Sequence, residues 1–335
     1  MKRIVLLLLF LQILTACEKS LAAKLEDLSY AKEDIELIET LNEEHQLLFL
    51  EEKNERALVY LHASDFEEEH LDDYLRYDGL AEEEKIVKLV NEGRLNDMNR
   101  DKVEKMFSDI GYIEKNEELY FVYLNRYDSI RDLIEAVNTL RYKELYTDIE
   151  AVDMDKGDLI LVNKYHCLDE DYVPDDLIAF YSSMGKGRLR EKVYDAYCEL
   201  YEAAREEGYR LTVVSSYRSY SYQDGLYKRY LSRDSQENVD TYSARPGHSE
   251  HQTGMAIDVS LPGCSLDDFG STKAAAWLKE HCAEYGFIIR YPKDRIDITG
   301  YIEEPWHIRY LGREVAEDVL SKGMTYDEYY ACFVE

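Results

Sequence analysis

The distribution of proline divides this chain into two parts that fold differently. Between Glu18 and about Leu145 there is no proline, and apolar residues recur at helical spacing, as at Ile35, Ile38 and Leu41. All five prolines lie from Pro174 to Pro305, where signals for helices and strands alternate. The sequence therefore predicts an acidic helical region followed by a mixed part.

The helical region, residues 18–145, contains a weak internal repeat. Asp27–Leu37 resembles Asp109–Leu119, and Tyr74–Asn91 resembles Tyr123–Asn138. The two pairs have different offsets, which indicates a degenerate helical repeat rather than a regular tandem array. We interpret this region as a spacer and packing module, with binding to the cell wall or to a partner as the alternative.

The second part predicts an α+β fold, because its strands are not regularly separated by single crossover helices. We expect a small, mainly antiparallel sheet flanked by helices over residues 150–335. The predicted strands are Asp158–Tyr165, Tyr209–Ser219, Gly254–Leu261 and the segments FIIRY and WHIRYLG. The predicted helices are Gly187–Gly208, Ser221–Arg233, Ser271–Gly286 and one that begins at Arg313.

The first residues indicate export from the cytoplasm. Lys2 and Arg3 precede an apolar run, Ile4–Leu14, that is too short to span a bilayer comfortably and is typical of a signal-peptide core. The segment that ends at Cys17, LTAC, resembles the lipobox of bacterial lipoproteins. That resemblance implies a signal peptide over residues 1–17 and a lipid on Cys17 that anchors the protein to the cell membrane, facing the cell wall. The alternatives are an ordinary secretory signal and a buried helix with a chance cysteine.

Charge and cysteine spacing exclude some kinds of site. The chain has 70 acidic and 40 basic residues, a formal net charge of −30, which argues against binding to nucleic acid. The five cysteines after Cys17 form no CxxC pair, so a structural zinc knuckle is not expected. Disulfide pairing and oligomeric state stay open.

The segment SEHQTGMAIDVS places His251 and Asp258 on either side of Gly254. In a strand, alternate side chains point to opposite faces, so Asp258 can project into a cleft while its neighbours face the core. Gly254 permits a bend that returns the imidazole to the carboxylate. The predicted core face consists of Met255, Ile257, Val259 and Leu261.

The segment EEPWHIRY adds His307, with Glu304 three residues before it. Two histidines and one aspartate are donors that a catalytic zinc ion takes, with one position left for water. A glutamate that is not a ligand can then move the proton of that water. The alternative is that both histidines are simply packed or hydrogen-bonded, and the residues alone leave both interpretations open.

Three motifs in order resemble the zinc D-alanyl-D-alanine carboxypeptidases of the VanY type, peptidoglycan metallopeptidases with a hedgehog-like fold. SEHQTGMAIDVS fits their SxHxxGxAxD pattern, EPWHIRYLG resembles their ExxH segment, and SSYRSYSYQ resembles their substrate-binding stretch. The run GFIIRYP…ITGYIEEPWH also resembles the family's approach to its second histidine. The resemblance covers roughly Asp158–Gly312.

This resemblance implies roles for seven residues. His251, Asp258 and His307 would bind Zn²⁺, and Glu304 would act as general base and then as general acid. Arg218 would pair with the C-terminal carboxylate of the substrate, because its planar fork can donate two hydrogen bonds to a carboxylate. The residues expected to hydrogen-bond the substrate are Gln223 and Ser249.

Three further polar residues near these motifs are given lesser roles. His248 is a rival ligand three residues before His251; the family pattern favours His251, and we interpret His248 as a residue of the rim. Asp297 and Glu303 are interpreted as solvated loop carboxylates. A partner that orients a ligand histidine is expected, but the sequence does not name it.

The activity that the resemblance implies is removal of the C-terminal D-alanine from peptidoglycan stem peptides, outside the membrane. The first alternative is an L,D-carboxypeptidase that acts on tetrapeptide stems. The second, from a different class, is a non-catalytic lipoprotein that binds the cell wall. The presence of Glu304 argues against the second, because binding alone does not require a base.

Overall fold

The computed structural model describes residues 19–334, which form two compact units that divide between Tyr112 and Ile113. The predicted signal peptide and Cys17 lie outside the described residues. Within residues 19–334, no helix combines the length and the apolar character that crossing a membrane requires. Residues 113–145 group with the second unit, because the helix Ile130–Asn138 packs against the helix Tyr326–Phe333.

The first unit consists of short helices around an apolar core. The stripe seen in the sequence, Ile35, Ile38 and Leu41, is buried. Polar residues begin several helices; the side chain of Asn54, for example, accepts a hydrogen bond from the backbone N–H of Ala57 at 3.1 Å. The helices are α1 (Leu21–Asp27), α2 (Lys32–Ile38), α3 (Glu43–Gln46), α4 (Glu55–Leu61), α5 (Leu71–Tyr77), α6 (Glu83–Asn91) and α7 (Arg100–Phe107).

Two segments, residues 68–91 and 114–138, share the order of a 3₁₀ turn followed by two helices. The hydroxyl of Tyr74 donates to the side chain of Asn91, and that of Tyr120 donates to Asn138. Each hydroxyl also accepts a hydrogen bond from a backbone N–H 7 residues earlier. Tyr74 thus has the same hydrogen-bond partners in its segment as Tyr120 has in the other, and Tyr123 lies one helical turn after Tyr120.

The second unit surrounds a sheet with helices. Its helices are α8 (Glu117–Tyr123), α9 (Ile130–Asn138), α10 (Glu191–Glu206), α11 (Tyr220–Leu231), α12 (Gln236–Tyr242), α13 (Leu266–Phe269), α14 (Lys273–His281), α15 (Ile296–Thr299), α16 (Arg313–Lys322) and α17 (Tyr326–Phe333). The 3₁₀ turns are Glu114–Asn116, Met154–Leu159, Glu250–Thr253 and Cys282–Tyr285. Four of the described cysteines, Cys167, Cys198, Cys264 and Cys282, are free thiols, and Cys332 accepts a hydrogen bond from the side-chain amide of Asn138 at 3.9 Å.

The main sheet has six strands in the order β3-β4-β5-β6-β8-β7, and only β4 and β5 are parallel neighbours. The predicted α+β fold with a small, mainly antiparallel sheet is therefore confirmed. The six strands are β3 (Leu177–Ser182), β4 (Gly185–Arg190), β5 (Thr212–Ser215), β6 (Ala256–Ser260), β7 (Phe287–Ile289) and β8 (His307–Tyr310). A separate pair consists of β1 (Glu150–Ala151) and β2 (His166–Cys167).

The central strands β6 and β8 place apolar residues on the core side and polar residues on the other. Met255, Ile257 and Val259 are fully buried in the core, as the alternation predicts. Asp258 and His307 are paired directly across the two strands. The candidate site therefore lies on the face of the sheet opposite its apolar core.

Two sequence predictions about this unit are wrong. The segment Asp158–Tyr165 is not a strand, because the carbonyls of Asp158 and Ile160 accept hydrogen bonds from the Arg309 side chain at 2.8 and 2.9 Å instead of from a neighbouring strand. The helix predicted from Gly187 begins at Glu191, because the residues before it form β4 of an unpredicted hairpin.

Candidate metal centre and active site

A tight turn brings His251 back to the strand that carries Asp258. The turn Glu250–Thr253 ends at Gly254, whose φ of 69° is in the left-handed region that favours glycine. A Cβ at this position would lie 2.8 Å from Leu177 Cδ2, so the end of that side chain would have to shift. The bend that the sequence predicts at Gly254 therefore depends on the conformational freedom of glycine.

The three residues predicted as ligands converge on one point. The Nε2 atom of His251 lies 3.2 Å from Asp258 Oδ2, and the Nδ1 atom of His307 lies 3.2 Å from Asp258 Oδ1. One donor atom from each residue lies within 4.8 Å of the others, and all three residues are buried. The imidazole rings are 4.9 Å apart and nearly perpendicular, at 83°.

Backbone geometry sets which nitrogen of His251 faces the cluster. Its Nδ1 donates a hydrogen bond to the carbonyl of Ser216 at 2.8 Å, which leaves the lone pair of Nε2 free. A β-bulge in β5, opposite Asp258, changes the register just before Ser216. Bulges of this kind redirect residues next to active sites, and here the bulge directs a carbonyl toward the imidazole.

The protonation states of two of these residues suit a metal ligand. Burial, aided by the nearby Arg218 guanidinium, lowers the pKa of His251 to about 4. Burial opposes ionisation of Asp258, but His251 and His307 outweigh it and hold the pKa of this carboxyl well below its ordinary value. Near neutral pH, His251 is therefore a neutral imidazole and Asp258 an anion, which are the forms that bind metals.

His307 lies between carboxylates that favour a positive charge there. Burial alone would lower the pKa of His307, but the neighbouring carboxylates of Asp258 and Glu250 outweigh it and raise this pKa to about 9. The Nε2 atom of His307 lies 3.4 Å from Glu250 Oε2. Glu250 is thus a buried carboxylate partner of His307 that the sequence did not identify.

Glu304 lies at the edge of the cluster, where the ExxH spacing predicts it. Its Oε2 is 3.5 Å from His307 Nδ1, and its backbone N–H donates to the carbonyl of Tyr291 at 3.0 Å. Burial raises the pKa of the Glu304 carboxyl to about 7. A carboxyl with this pKa can both accept and release a proton near neutral pH.

A cleft of about 430 Å³ opens over this cluster. Among the described residues that line it, Arg218 alone carries a permanent positive charge. Its guanidinium donates to Gln223 Oε1 at 3.1 Å and to Asp258 Oδ2 at 3.3 Å, while its Nε is buried without a partner. The Gln223 amide also donates to the carbonyl of Ala244 at 2.8 Å, so Gln223 holds Arg218 in place. Ser249 lines the cleft as well.

The remaining polar candidates lie outside this cleft. His248 is buried, but its Nδ1 bonds the carbonyl of Asn163 at 2.7 Å and its ring meets Tyr146 edge-to-face. Asp297 forms an ion pair with Arg141 near the surface. Glu303 is exposed. None of these three faces the cluster of His251, Asp258 and His307.

The donors of this cluster fit a divalent metal ion. His251 Nε2 and Asp258 Oδ1 are buried atoms without a hydrogen-bond partner, and buried polar atoms in this state carry a free-energy penalty that a bound cation would remove. Two imidazole nitrogens and one carboxylate oxygen form a donor set that suits zinc and leaves a coordination position open. No other cluster of buried residues between positions 19 and 334 has this composition.

Comparisons with known proteins identify relatives of the second unit. The family model VanY, D-alanyl-D-alanine carboxypeptidase, matches residues 186–313. A putative carboxypeptidase YodJ of Bacillus subtilis (strain 168) is 38% identical over 191 residues, which are 54% of this chain and 70% of that protein. A D-alanyl-D-alanine carboxypeptidase of Enterococcus faecalis (strain ATCC 700802 / V583) is 34% identical over 194 residues, 55% of this chain and 70% of that protein.

A solved structure also resembles this unit. The LdcB LD-carboxypeptidase, described as revealing the molecular basis of peptidoglycan recognition, is 38% identical and superposes with a TM-score of 0.51. The match covers 56% of this chain and 92% of that one. Relatives named for D,D and for L,D cleavage are therefore similar to this chain at comparable identity.

Proposed function

Because this chain belongs to the VanY family of D-alanyl-D-alanine carboxypeptidases, we propose that it is a zinc-dependent carboxypeptidase that removes the C-terminal D-alanine from peptidoglycan stem peptides. The observation that carries this proposal is the convergence of His251, Asp258 and His307 beside Glu304, on the floor of a cleft that contains Arg218. This arrangement supplies three metal ligands, a proton carrier and a carboxylate receptor within one site.

The residues of this chain divide the reaction among them. His251, Asp258 and His307 would hold the zinc ion, which supplies Lewis acidity to the attacking water and to the scissile carbonyl. Arg218, held by Gln223, binds the terminal carboxylate and so sets the peptide bond beside Glu304. Glu304 takes a proton from the water as its oxygen adds to the carbonyl carbon. When the C–N bond breaks, Glu304 gives that proton to the departing amine of D-alanine.

Substitution of Arg218 should remove the preference for a free C-terminus. For the wild type, we expect a stem peptide with an amidated C-terminus to be cleaved about 100-fold more slowly than the free acid, because a charge-assisted, two-pronged hydrogen bond is lost. In Arg218→Met, the free acid and the amide should be cleaved at similar low rates. Comparing kcat/KM for both peptides in both proteins measures this coupling. A discrimination that Arg218→Met retains would contradict the assigned role.

The choice of scissile bond is tested by digesting two substrates. Purified protein with zinc is incubated with a pentapeptide stem that ends in D-Ala-D-Ala and with a tetrapeptide stem that ends in a single D-Ala. Release of alanine from the pentapeptide supports the D,D activity proposed here. Release from the tetrapeptide alone would favour the L,D alternative, which the 38% identity to the LdcB LD-carboxypeptidase also supports. Cleavage of neither stem would contradict both.

We also propose that the enzyme acts outside the cell membrane, anchored by a lipid on Cys17. The support is the order of features in the sequence: Lys2 and Arg3, the apolar run Ile4–Leu14, and the LTAC box. Fatty-acid labelling of the wild type and of Cys17→Ser tests this location. Labelling that persists in Cys17→Ser would contradict it.

A further inference from the structure

Glu250 lies behind the metal centre, where the proposed reaction does not by itself use it. We propose that Glu250 is a positioning residue that fixes the imidazole of His307 for metal binding, and that Arg290 and Asp327 hold it there, so that helix α17 is part of the active-site unit. This inference rests on the proposed zinc-dependent function.

The carboxylate of Glu250 is completely buried and fully engaged. Its Oε1 accepts hydrogen bonds from Arg290 Nε at 2.8 Å and from Arg309 at 3.0 Å. Its Oε2 faces His307 Nε2 at 3.4 Å. A carboxylate without water around it is retained as an anion only when paired and hydrogen-bonded, and the two guanidinium groups supply this pairing.

The position of Glu250 determines which nitrogen of His307 is available to a metal. The Nδ1 atom faces Asp258 at 3.2 Å, whereas Nε2 faces Glu250. In the neutral imidazole, which is the form that binds a metal, an anionic acceptor next to Nε2 favours the tautomer with a proton on that atom, and the lone pair of Nδ1 then faces the metal position. The same interaction prevents rotation of the ring and increases the basicity of the ligand nitrogen.

A second buried carboxylate connects this pair to helix α17. Asp327, in the first turn of α17, lies 2.6 Å from Arg290. Its other oxygen accepts a hydrogen bond from Asn163 at 2.9 Å, and its side chain is only 3% exposed. Buried contacts therefore connect α17 to the candidate metal centre, in the order Asp327, Arg290, Glu250 and His307.

Helix α17 lies outside the segment 186–313 that the family model matches. The carboxylates of Glu250 and Asp327 and the guanidinium groups of Arg290 and Arg309 balance one another in charge. Removal of any one of these four side chains leaves an uncompensated buried charge, which destabilises the fold and displaces the side chains around that charge. Loss of Asp327 should therefore be transmitted through Arg290 and Glu250 to His307.

Zinc affinity separates positioning from a purely structural role. We expect Glu250→Gln in the full chain to raise the zinc Kd by about 10- to 100-fold, the effect usual for partners of ligand histidines. Asp327→Asn, one contact further away, should shift it in the same direction by a smaller factor. The Kd is measured by competition with a chromophoric chelator, and the melting temperature of the metal-free protein is recorded in parallel.

Glu328→Gln is the matched control on the same helix. Glu328 is also buried, but it accepts a hydrogen bond from the N–H of Thr325 at 2.7 Å to cap α17, and its ion pair is with Arg295, at 3.6 Å. Its substitution should lower the melting temperature and leave the zinc Kd within about twofold of the wild type. If Glu250→Gln does not fold, the zinc Kd of Asp327→Asn is compared with that of Glu328→Gln, provided that the two variants have similar melting temperatures. A higher Kd for Asp327→Asn than for Glu328→Gln supports the positioning role, and equal values contradict it.

The outcomes for zinc binding and for catalysis are distinguishable. Folded Glu250→Gln with an unchanged zinc Kd overturns the positioning role, whether or not the wild type is a peptidase. A wild type that binds zinc but cleaves no stem peptide, together with a weakened Glu250→Gln, supports the positioning role and overturns the proposed activity. A wild type that binds no zinc overturns both.

Discussion

Replacing Glu304 with glutamine should reduce kcat for stem-peptide cleavage by about 1,000-fold or more, while zinc content stays unchanged. Glutamine has the same shape but cannot take a proton from water or return it to the leaving amine, and this transfer contributes about 10²- to 10⁴-fold in enzymes. The Glu304 carboxyl is buried, and its pKa is raised to about 7, as a proton carrier at neutral pH requires. Steady-state kinetics with a stem peptide and metal analysis of the same sample measure both quantities.

The neighbouring residue provides a matched control for this prediction. Glu303 is the same residue type one position earlier, but it is exposed and does not line the cleft. Glu303→Gln changes the net charge equally and should leave kcat and KM within about twofold of the wild type, as for most surface substitutions. If Glu304→Gln retains activity comparable with Glu303→Gln, another group carries the proton and the role assigned to Glu304 is wrong.

The placement of His251 beside Asp258 could be predicted from the sequence because local rules govern both residues. Alternation along β6 places Asp258 away from the core, and Gly254 bends the chain so that His251 returns to it. The pairing of β6 with β8 is not local, and alternation alone cannot establish it. The resemblance to a known family brought His307 into the same site before the structure paired it with Asp258.

Glu250 was missed because it lies in a 3₁₀ turn, where no alternation distinguishes buried from exposed positions. A signal was nevertheless present in the strand segments FIIRY and WHIRY, each of which contains one arginine among apolar residues, Arg290 and Arg309. Both arginines are almost completely buried. A buried arginine requires a buried anion, so two such strands predict at least one carboxylate between them. Glu250 is adjacent to a predicted ligand and would have been a reasonable choice.

The fold predictions failed where side chains from distant segments replace regular backbone pairing. The apolar run Asp158–Tyr165 has the composition of a strand, but two of its carbonyls accept hydrogen bonds from the Arg309 side chain instead of from a neighbouring strand.

The hairpin β3–β4 was missed for a different reason. Its strand β4 contains Gly185 and Gly187, and glycine is unfavourable in strands. A Cβ on Gly187 would lie 2.2 Å from Ser216 Oγ, so the close approach of β4 to the segment after β5 requires glycine there.

Substitution of His251 by alanine should abolish zinc binding at micromolar concentration and reduce activity at least 1,000-fold. It removes one of the three proposed protein ligands, and the two that remain are fewer than a catalytic zinc site uses. Zinc should also raise the melting temperature of the wild type, because a ligand that binds only the folded state stabilises it. His251→Ala should lose this increase.

Removal of zinc from the wild type with a chelator should abolish activity, and added zinc should restore it.

His248→Ala is the control at a second histidine, three residues before His251. It shows whether zinc binding depends on the proposed ligand His251 or on its neighbour. The sequence offers both histidines as ligands, but the structure directs Nδ1 of His248 to the carbonyl of Asn163 and leaves Nε2 of His251 free beside Asp258. His248→Ala removes a buried ring from Tyr146, so it should lower the melting temperature while zinc content and kcat stay within a few-fold of the wild type. Loss of zinc from His248→Ala with retention in His251→Ala would mean that the metal binds at a different set of donors, and the hydrolytic site described here would be wrong.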